Sequence, residues 1–357
     1  MCFEIMKRKF FKSVLVAVLL IVFSCNDPKT IVTNTVHPDG SVTRKIEMRN
    51  NENLFELSSL QVPFDSTWTI KDTCEVNDKG DTTWIKTAVK IFTNIEEINK
   101  SYLADKGANK DISRKAGFEK KFKWFNTEYR FSEKVDKKFS NGYTVKDFLN
   151  KEELTYFYSP ESVTSEKLGG KDSLKYKAFD EAVRTKVDTW TIKIMISEWI
   201  YEFSGLTEGK AGNDINKEAL KVHEDEFVKI VGGFSDKFDS LWANGVILKK
   251  FIGENNAIMY KTEADTALAV VTRNLFFNFK DYSVRIVMPG KIIGTNGFID
   301  KTELLIWPVK SDYFITEPYE MWAESKVVNI WAWVVTGIFI LFVITGLLIR
   351  LFGKKKV

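Results

Sequence analysis

TVHPDGSVTRKIEM, residues Thr35–Met48, sets the fold class. It holds a turn, with a stretch that reads as a strand on either side. The tetrapeptide His37-Pro38-Asp39-Gly40 puts Pro and Gly where a hairpin turn uses them. Thr30 to Val36 and Ser41 to Met48 are therefore expected to pair as antiparallel strands.

The pattern continues downstream. Trp68 to Val76 alternates cleanly, and Asn77-Asp78-Lys79-Gly80-Asp81 turns the chain into Thr82 to Asn94. Cys74 falls in register with Trp68, Ile70 and Val76, which predicts a buried strand face for its thiol. Phe118 to Phe131 (FEKKFKWFNTEYRF) reads as a further aromatic strand. Its apolar parity switches between Trp124 and Phe125, the signature of a bulge.

The middle of the chain changes period. Phe179, Val183, Val187, Trp190 and Ile194 follow three- and four-residue steps, as a helix requires. Trp190, Ile192, Ile194 and Ile196 also alternate, so a strand at the end of this segment stays open. Asp214 is placed to cap a helix running to Val231, and Ser235 or Asp236 to open another with Phe238, Leu241 and Trp242. A helix is expected over Ala264 to Phe279. Strands then resume, with Val284, Ile286 and Met288 on one face of Tyr282 to Met288. Pro289-Gly290, Ile292-Ile293 and Asn296-Gly297 lead into Phe298 to Val309 and Tyr313 to Trp322, completing a meander.

Both ends point to a membrane. Lys7, Arg8, Lys9 and Lys12 precede the apolar run Ser13 to Phe23, then Ser24 and Cys25. That run is too short to span and has the layout of a secretory signal. With Cys25 after Val22-Phe23-Ser24 it resembles a bacterial lipoprotein signal, whose cysteine is acylated. Val327 to Ile349 is long and apolar enough to cross a bilayer, about 34 Å as a helix. Trp331 and Trp333 stand at its start, and Arg350, Lys354, Lys355 and Lys356 beyond its end. Basic residues are retained in the cytoplasm, so the tail is expected inside the inner membrane and the bulk of the chain on its outer, periplasmic side. Tyr319 and Trp322, just before the span, are candidate headgroup contacts. Of the formal charge of +4, residues 1–24 carry +3 and the tail +4, leaving −3 for the exported part. The basic balance thus reflects topology and argues against a nucleic-acid partner.

The expected organisation is α+β: an antiparallel β-rich domain with an inserted helical layer and one C-terminal transmembrane helix. Its segments are a signal at 1–24, β-rich parts at 25–142 and 263–326, a helical insertion at 143–262, the span at 327–349 and a basic tail at 350–357. Short links to both anchors favour neighbouring antiparallel placement of the first and last strands.

The hairpin TVHPDGSVTRKIEM, followed by VRIVMPGKIIGTNG, ELLIWPV and MWAESKVVN before a terminal span, resembles the LppM-like group of bacterial lipoproteins. The match covers about a quarter of the chain, and its motifs are structural turns. The resemblance implies a membrane-associated, β-rich module with lipid binding as a capacity, and it carries over no catalytic residues.

Catalytic signatures are missing from the sequence. His223 begins His-Glu-Asp-Glu-Phe, without the second His of a zinc-binding helix, and His37 lies in a turn. No phosphate loop, nucleophile elbow or dinucleotide fingerprint occurs. Carboxylate neighbours such as Asp225-Glu226 and Glu152-Glu153 point apart on a helix. Neither cofactor nor metal is expected. Trp124, Phe125, Tyr129 and Phe131 fit core packing better than a lipid or glycan groove. Three functions remain in order: a non-enzymatic scaffold for another membrane or envelope protein in contact with membrane lipids, a lipid- or glycolipid-binding module, and a carboxylate hydrolase. An exposed apolar patch would favour the first, an enclosed apolar cavity of several hundred Å³ the second, and a cleft with facing carboxylates the third.

Overall fold

A computed structural model describes residues 29–55, 62–107, 110–139, 142–161, 163, 168–170, 173–210, 215–233, 237–275, 279–300 and 302–353. Cys25, the signal at 1–24 and Lys354, Lys355 and Lys356 lie outside the described residues. So do Asp214, Ser235 and Asp236.

The opening hairpin forms as its sequence dictates. β1 (Lys29–Val36) and β2 (Val42–Asn50) pair antiparallel, with Val36 opposite Val42. The His37 and Gly40 amides close the turn onto Ser41 and His37 carbonyls, and Asp39 accepts from the Ser41 amide at 3.0 Å. Gly40 sits at φ +94°, a left-handed conformation that glycine adopts without strain.

β3 (Thr69–Val76) and β4 (Thr82–Phe92) follow, then α1 (Ile95–Leu103), whose Asn94 cap accepts from the Glu97 amide. β5 (Arg114–Lys123) and β6 (Asn126–Val135) form a tight hairpin with Lys123 opposite Asn126. The parity switch at Trp124-Phe125 is therefore a two-residue turn between two strands, a correction of the single bulged strand. The helical region comprises α2 (Lys151–Tyr158), α3 (Leu174–Thr207), α4 (Lys217–Val222), α5 (Glu224–Gly233), α6 (Phe238–Ala243), α7 (Val246–Ile252), α8 (Glu254–Met259) and α9 (Lys261–Leu275). β7 (Tyr282–Val287), β8 (Lys291–Thr295), β9 (Phe298–Ile299), β10 (Leu305–Val309), β11 (Tyr319–Val328) and α10 (Ile330–Gly353) follow among the described residues.

Two sheets enclose the main core. One has the order β3-β4-β2-β1-β7-β10-β9, the other β5-β6-β11-β8. β1 and β7 are parallel, and the other described pairings are antiparallel. Val32, Ile46, Val284 and Trp307 from the first sheet meet Phe131, Met321 and Ala323 from the second. Early and late strands thus share both sheets, as expected of an α+β fold.

The 34-residue α3 is continuous. Val183, Trp190 and Ile194 pack on Phe139 and Ile315 of the β-rich body and on Leu149. Trp199, Ile200 and Phe203 pack instead on Phe227, Phe251 and Val271 of the helical layer. One helix joining two cores accounts for the alternating stretch at 190–196, because successive apolar residues serve different neighbours. Asn216 caps α4, accepting from the Glu218 amide at 2.8 Å, and the helix breaks at His223. The single helix to Val231 is thereby corrected.

The late strands form no meander. β7 turns at Pro289-Gly290 and crosses into the second sheet as β8. Gly290 has φ +77°, and a Cβ there would stand 2.4 Å from the Lys326 carbonyl oxygen. Phe298 to Val309 is interrupted because the Asp300 carboxylate accepts from the Thr302 and Leu304 amides, folding a loop between β9 and β10. Ser311–Phe314 is a 3-10 turn, so β11 starts only at Tyr319.

Strand direction overturns the expected adjacency of first and last strands. β1 lies between β2 and β7, whereas β11 lies between β6 and β8 in the other sheet. The β7–β8 corner touches Lys326 near the foot of β11, and β1 runs parallel to β7, so β1 also runs towards α10. Val32, Val284, Glu133 and Met321 border one small cavity, which sets their common height. Lys29 consequently stands about 30 Å above the foot of β11 at the rise of an extended strand. β1 therefore begins at the pole facing away from α10.

Candidate membrane-interface site

β11 passes into α10 through one residue, Asn329. Its backbone N–H donates to the Phe125 carbonyl at 3.0 Å, and its side-chain amide donates to the Lys123 and Trp124 carbonyls at 2.8 and 3.2 Å. Its amide oxygen accepts from the Thr127 hydroxyl at 3.0 Å. Asn329 also accepts through its carbonyl from Ala332, starting the helix. The span thus begins at Ile330, three residues later than the apolar run alone suggested, because Val327 and Val328 still pair with β6.

The β5–β6 turn lies along the first two turns of α10. Phe122 stacks parallel to Trp331 at 6.2 Å, Trp124 meets the same indole edge-on at 5.3 Å, and Phe125 packs on Trp333 at 4.3 Å. The Trp124 Nε1–H donates to the Thr336 hydroxyl at 2.8 Å. Ala332 is fully covered beneath the turn, while Phe122, Trp124, Trp331 and Trp333 keep 59, 48, 52 and 56% of their surface exposed. Ile330–Phe352 is long and apolar enough to cross a membrane. Trp331 and the exposed Arg350 stand about 28 Å apart along the helix, close to a hydrocarbon thickness.

The other expected contacts lie elsewhere. Tyr319 is a core residue, 8% exposed, stacked on Tyr158 and donating its hydroxyl to the Pro308 carbonyl at 2.8 Å. Burial drives its phenol well above its usual range. Trp322 lies beneath the Arg130 guanidinium at 4.7 Å, about 20 Å up the strand from Val328. Phe122, Trp124, Phe125 and Asn329 join the β5–β6 hairpin to the start of α10, a role their spacing in the sequence does not announce. The parity switch at Trp124-Phe125 marks the turn that brings them together. Tyr129 and Phe131 are core residues, as expected.

A buried polar cluster anchors the other end of this hairpin. Glu133 of β6 forms an ion pair with Arg44 of β2, which is 1% exposed. Asn34 donates to Glu133 at 2.9 Å and accepts from Arg44 Nε at 2.8 Å, and the Tyr102 hydroxyl accepts from Arg44 and donates to Glu133. Burial opposes the Arg44 charge, but Glu133 and Tyr102 outweigh it and hold the guanidinium protonated. Burial also raises the Tyr102 phenol.

Cys74 is exposed, against expectation. β3 is an edge strand whose eight residues are all exposed, so its alternation faces water on both sides. The carboxylate neighbours carry structural partners: Asp225 pairs with Lys193, and Glu153 accepts from Lys186 at 2.6 Å and from the Asn150 amide at 2.9 Å. His37 bonds Thr43 at 2.9 Å, and His223 lies 3.4 Å from Glu226. Among the described residues no three His, Cys, Asp or Glu side chains converge as a metal site. The space beside Tyr102, Arg114 and Glu133 measures about 10 Å³, and a groove at Glu119, Lys121 and Arg130 about 60 Å³. Neither holds an acyl chain.

No family model and no curated protein matches the chain. Among solved structures, 85% of the chain aligns with 92% of the NMR structure of the folded domain of the Mycobacterium tuberculosis LppM protein, at 8% identity and a TM-score of 0.27.

Proposed function

We propose that this chain is a non-enzymatic bacterial inner-membrane module that holds its periplasmic domain in a fixed attitude as a binding or scaffold surface for another membrane or envelope protein. The observation that carries the reading is the junction at Asn329. An apolar helix of spanning length follows β11 with no linker, and the adjacent hairpin grips its first turns. A domain so joined cannot swing freely about its anchor, and fixed attitude is what a scaffold needs. Arg350 and the lysines beyond it favour a cytoplasmic tail, and the basic–apolar–Ser–Cys order supports acylation at Cys25. In spheroplasts, added protease should remove the domain and spare a C-terminal epitope. Loss of the epitope without detergent would refute the topology. In mild-detergent extracts the chain should migrate within an assembly larger than itself, and a chain running alone would refute the scaffold role.

A further inference from the structure

The tip of the β5–β6 hairpin has a depth that its bond to α10 defines. Thr336 lies six residues after Ile330, about 9 Å along the axis, and the Trp124 indole is hydrogen-bonded to it. The turn therefore reaches past the first turn of a helix that is otherwise almost wholly uncovered. Phe122, Trp124, Trp331 and Trp333 form one exposed aromatic surface continuous with that helix. In water such a surface is unfavourable, while the headgroup layer suits indoles, which are apolar with one polar N–H.

A row of charge lies directly above. Strand register aligns Lys121 of β5 with Glu128 of β6, Glu128 with Lys326 of β11, and Lys326 with Lys291 of β8. This row crosses the whole second sheet with three ammonium groups and one carboxylate. Lys121 is about 10 Å from Trp124 along the strand, comparable to the depth of a headgroup layer. An aromatic tip below a basic row matches the layering of a bilayer surface, with phosphates at the level of the lysines.

We propose that Phe122, Trp124 and Phe125 form a second membrane-contacting element, reaching through the outer headgroup layer to the edge of the hydrocarbon of the bilayer that α10 crosses. The proposal rests on α10 spanning the membrane, and the test separates the two. The full chain, with Cys2→Ser, Cys25→Ser and Cys74→Ser, is placed in nanodiscs of phosphatidylcholine with a minority of phosphatidylglycerol and spin-labelled at Phe125→Cys, Asp78→Cys or Ile340→Cys. Collision with oxygen and with a water-soluble nickel chelate then reports depth. Position 125 should lose nickel accessibility relative to position 78, and position 340 should be deepest. A buried 340 with a nickel-accessible 125 overturns the hairpin proposal alone, whereas an accessible 340 overturns the span beneath it. The unlabelled chain provides a check independent of the cysteine variants. Brominated lipid should quench less emission in Trp124→Phe than in the wild type, and an unchanged quenched fraction would also overturn the proposal.

Discussion

The two hairpins β3–β4 and β5–β6 carry similar sequence signals and meet different fates. Both alternate and both turn tightly. β5–β6 is fixed at its base by the Arg44–Glu133 cluster and at its tip by Asn329 and the aromatic contacts to α10. β3 is attached along one side only, by its pairing with β4, and its ion pairs, Lys86–Asp72 at 2.7 Å and Arg49–Glu75 at 2.9 Å, lie at the surface. Alternation in sequence therefore marks a strand without revealing whether anything covers it. Covering depends on the second sheet and on α10, both distant in sequence.

The largest consequence of this contrast concerns the buried cluster. Arg44→Met leaves the Glu133 carboxylate without its cation, and removing one partner of a buried pair costs about 3–5 kcal/mol. Denaturant unfolding of the solubilised chain should show it. A loss as small as that of the surface pair variant Asp72→Asn, expected within about 0.5 kcal/mol, would show that the cluster does not fix β5–β6. Next in size is Asn329→Ala, which deprives the Lys123 and Trp124 carbonyls of their donor and should cost about 1–3 kcal/mol. Unchanged stability would mean that the tip and α10 are held by ring packing alone.

The N-terminal pole gives a further check. Because Lys29 faces away from α10, the amides of Thr30 to Thr33 should exchange equally slowly in the wild type and in Cys25→Ser. Faster exchange in the wild type would show that its N-terminus is drawn back to the membrane at the expense of β1 pairing. Smallest of all is the effect expected at Cys74, where Cys74→Ser should leave stability within about 0.5 kcal/mol. An impermeant maleimide should label the native thiol as fast as the denatured one. Protection of the native thiol would show that another surface covers β3.

Local chemistry made much of this fold legible. The His37–Gly40 turn, the register of Val284, Ile286 and Met288, and the helical period at 179–194 all depend on neighbours in sequence, and each appears in the structure. What the residues could not convey was strand direction and layer. Pairing of β1 with β7 and of β11 with β6 joins segments some 200 residues apart or more. Tyr319 had the composition of an interface residue but falls where Tyr158 and Pro308 enclose it. Trp124 and Phe125 had the composition of a core pair, and the turn they form exposes both.

The coupling of the β5–β6 tip to α10 is tested most directly by photo-crosslinking. p-Benzoylphenylalanine replaces Phe125 in one chain and Val76 of β3 in another, each reconstituted in bilayers, and adducts are mapped by mass spectrometry. The probe at position 125 should attach within residues 330–337 and to lipid, since Phe125 packs on Trp333 at 4.3 Å. The probe at position 76, on an exposed edge strand, should yield neither adduct. An absence of α10 adducts from position 125, or a pattern shared by both positions, would contradict the account.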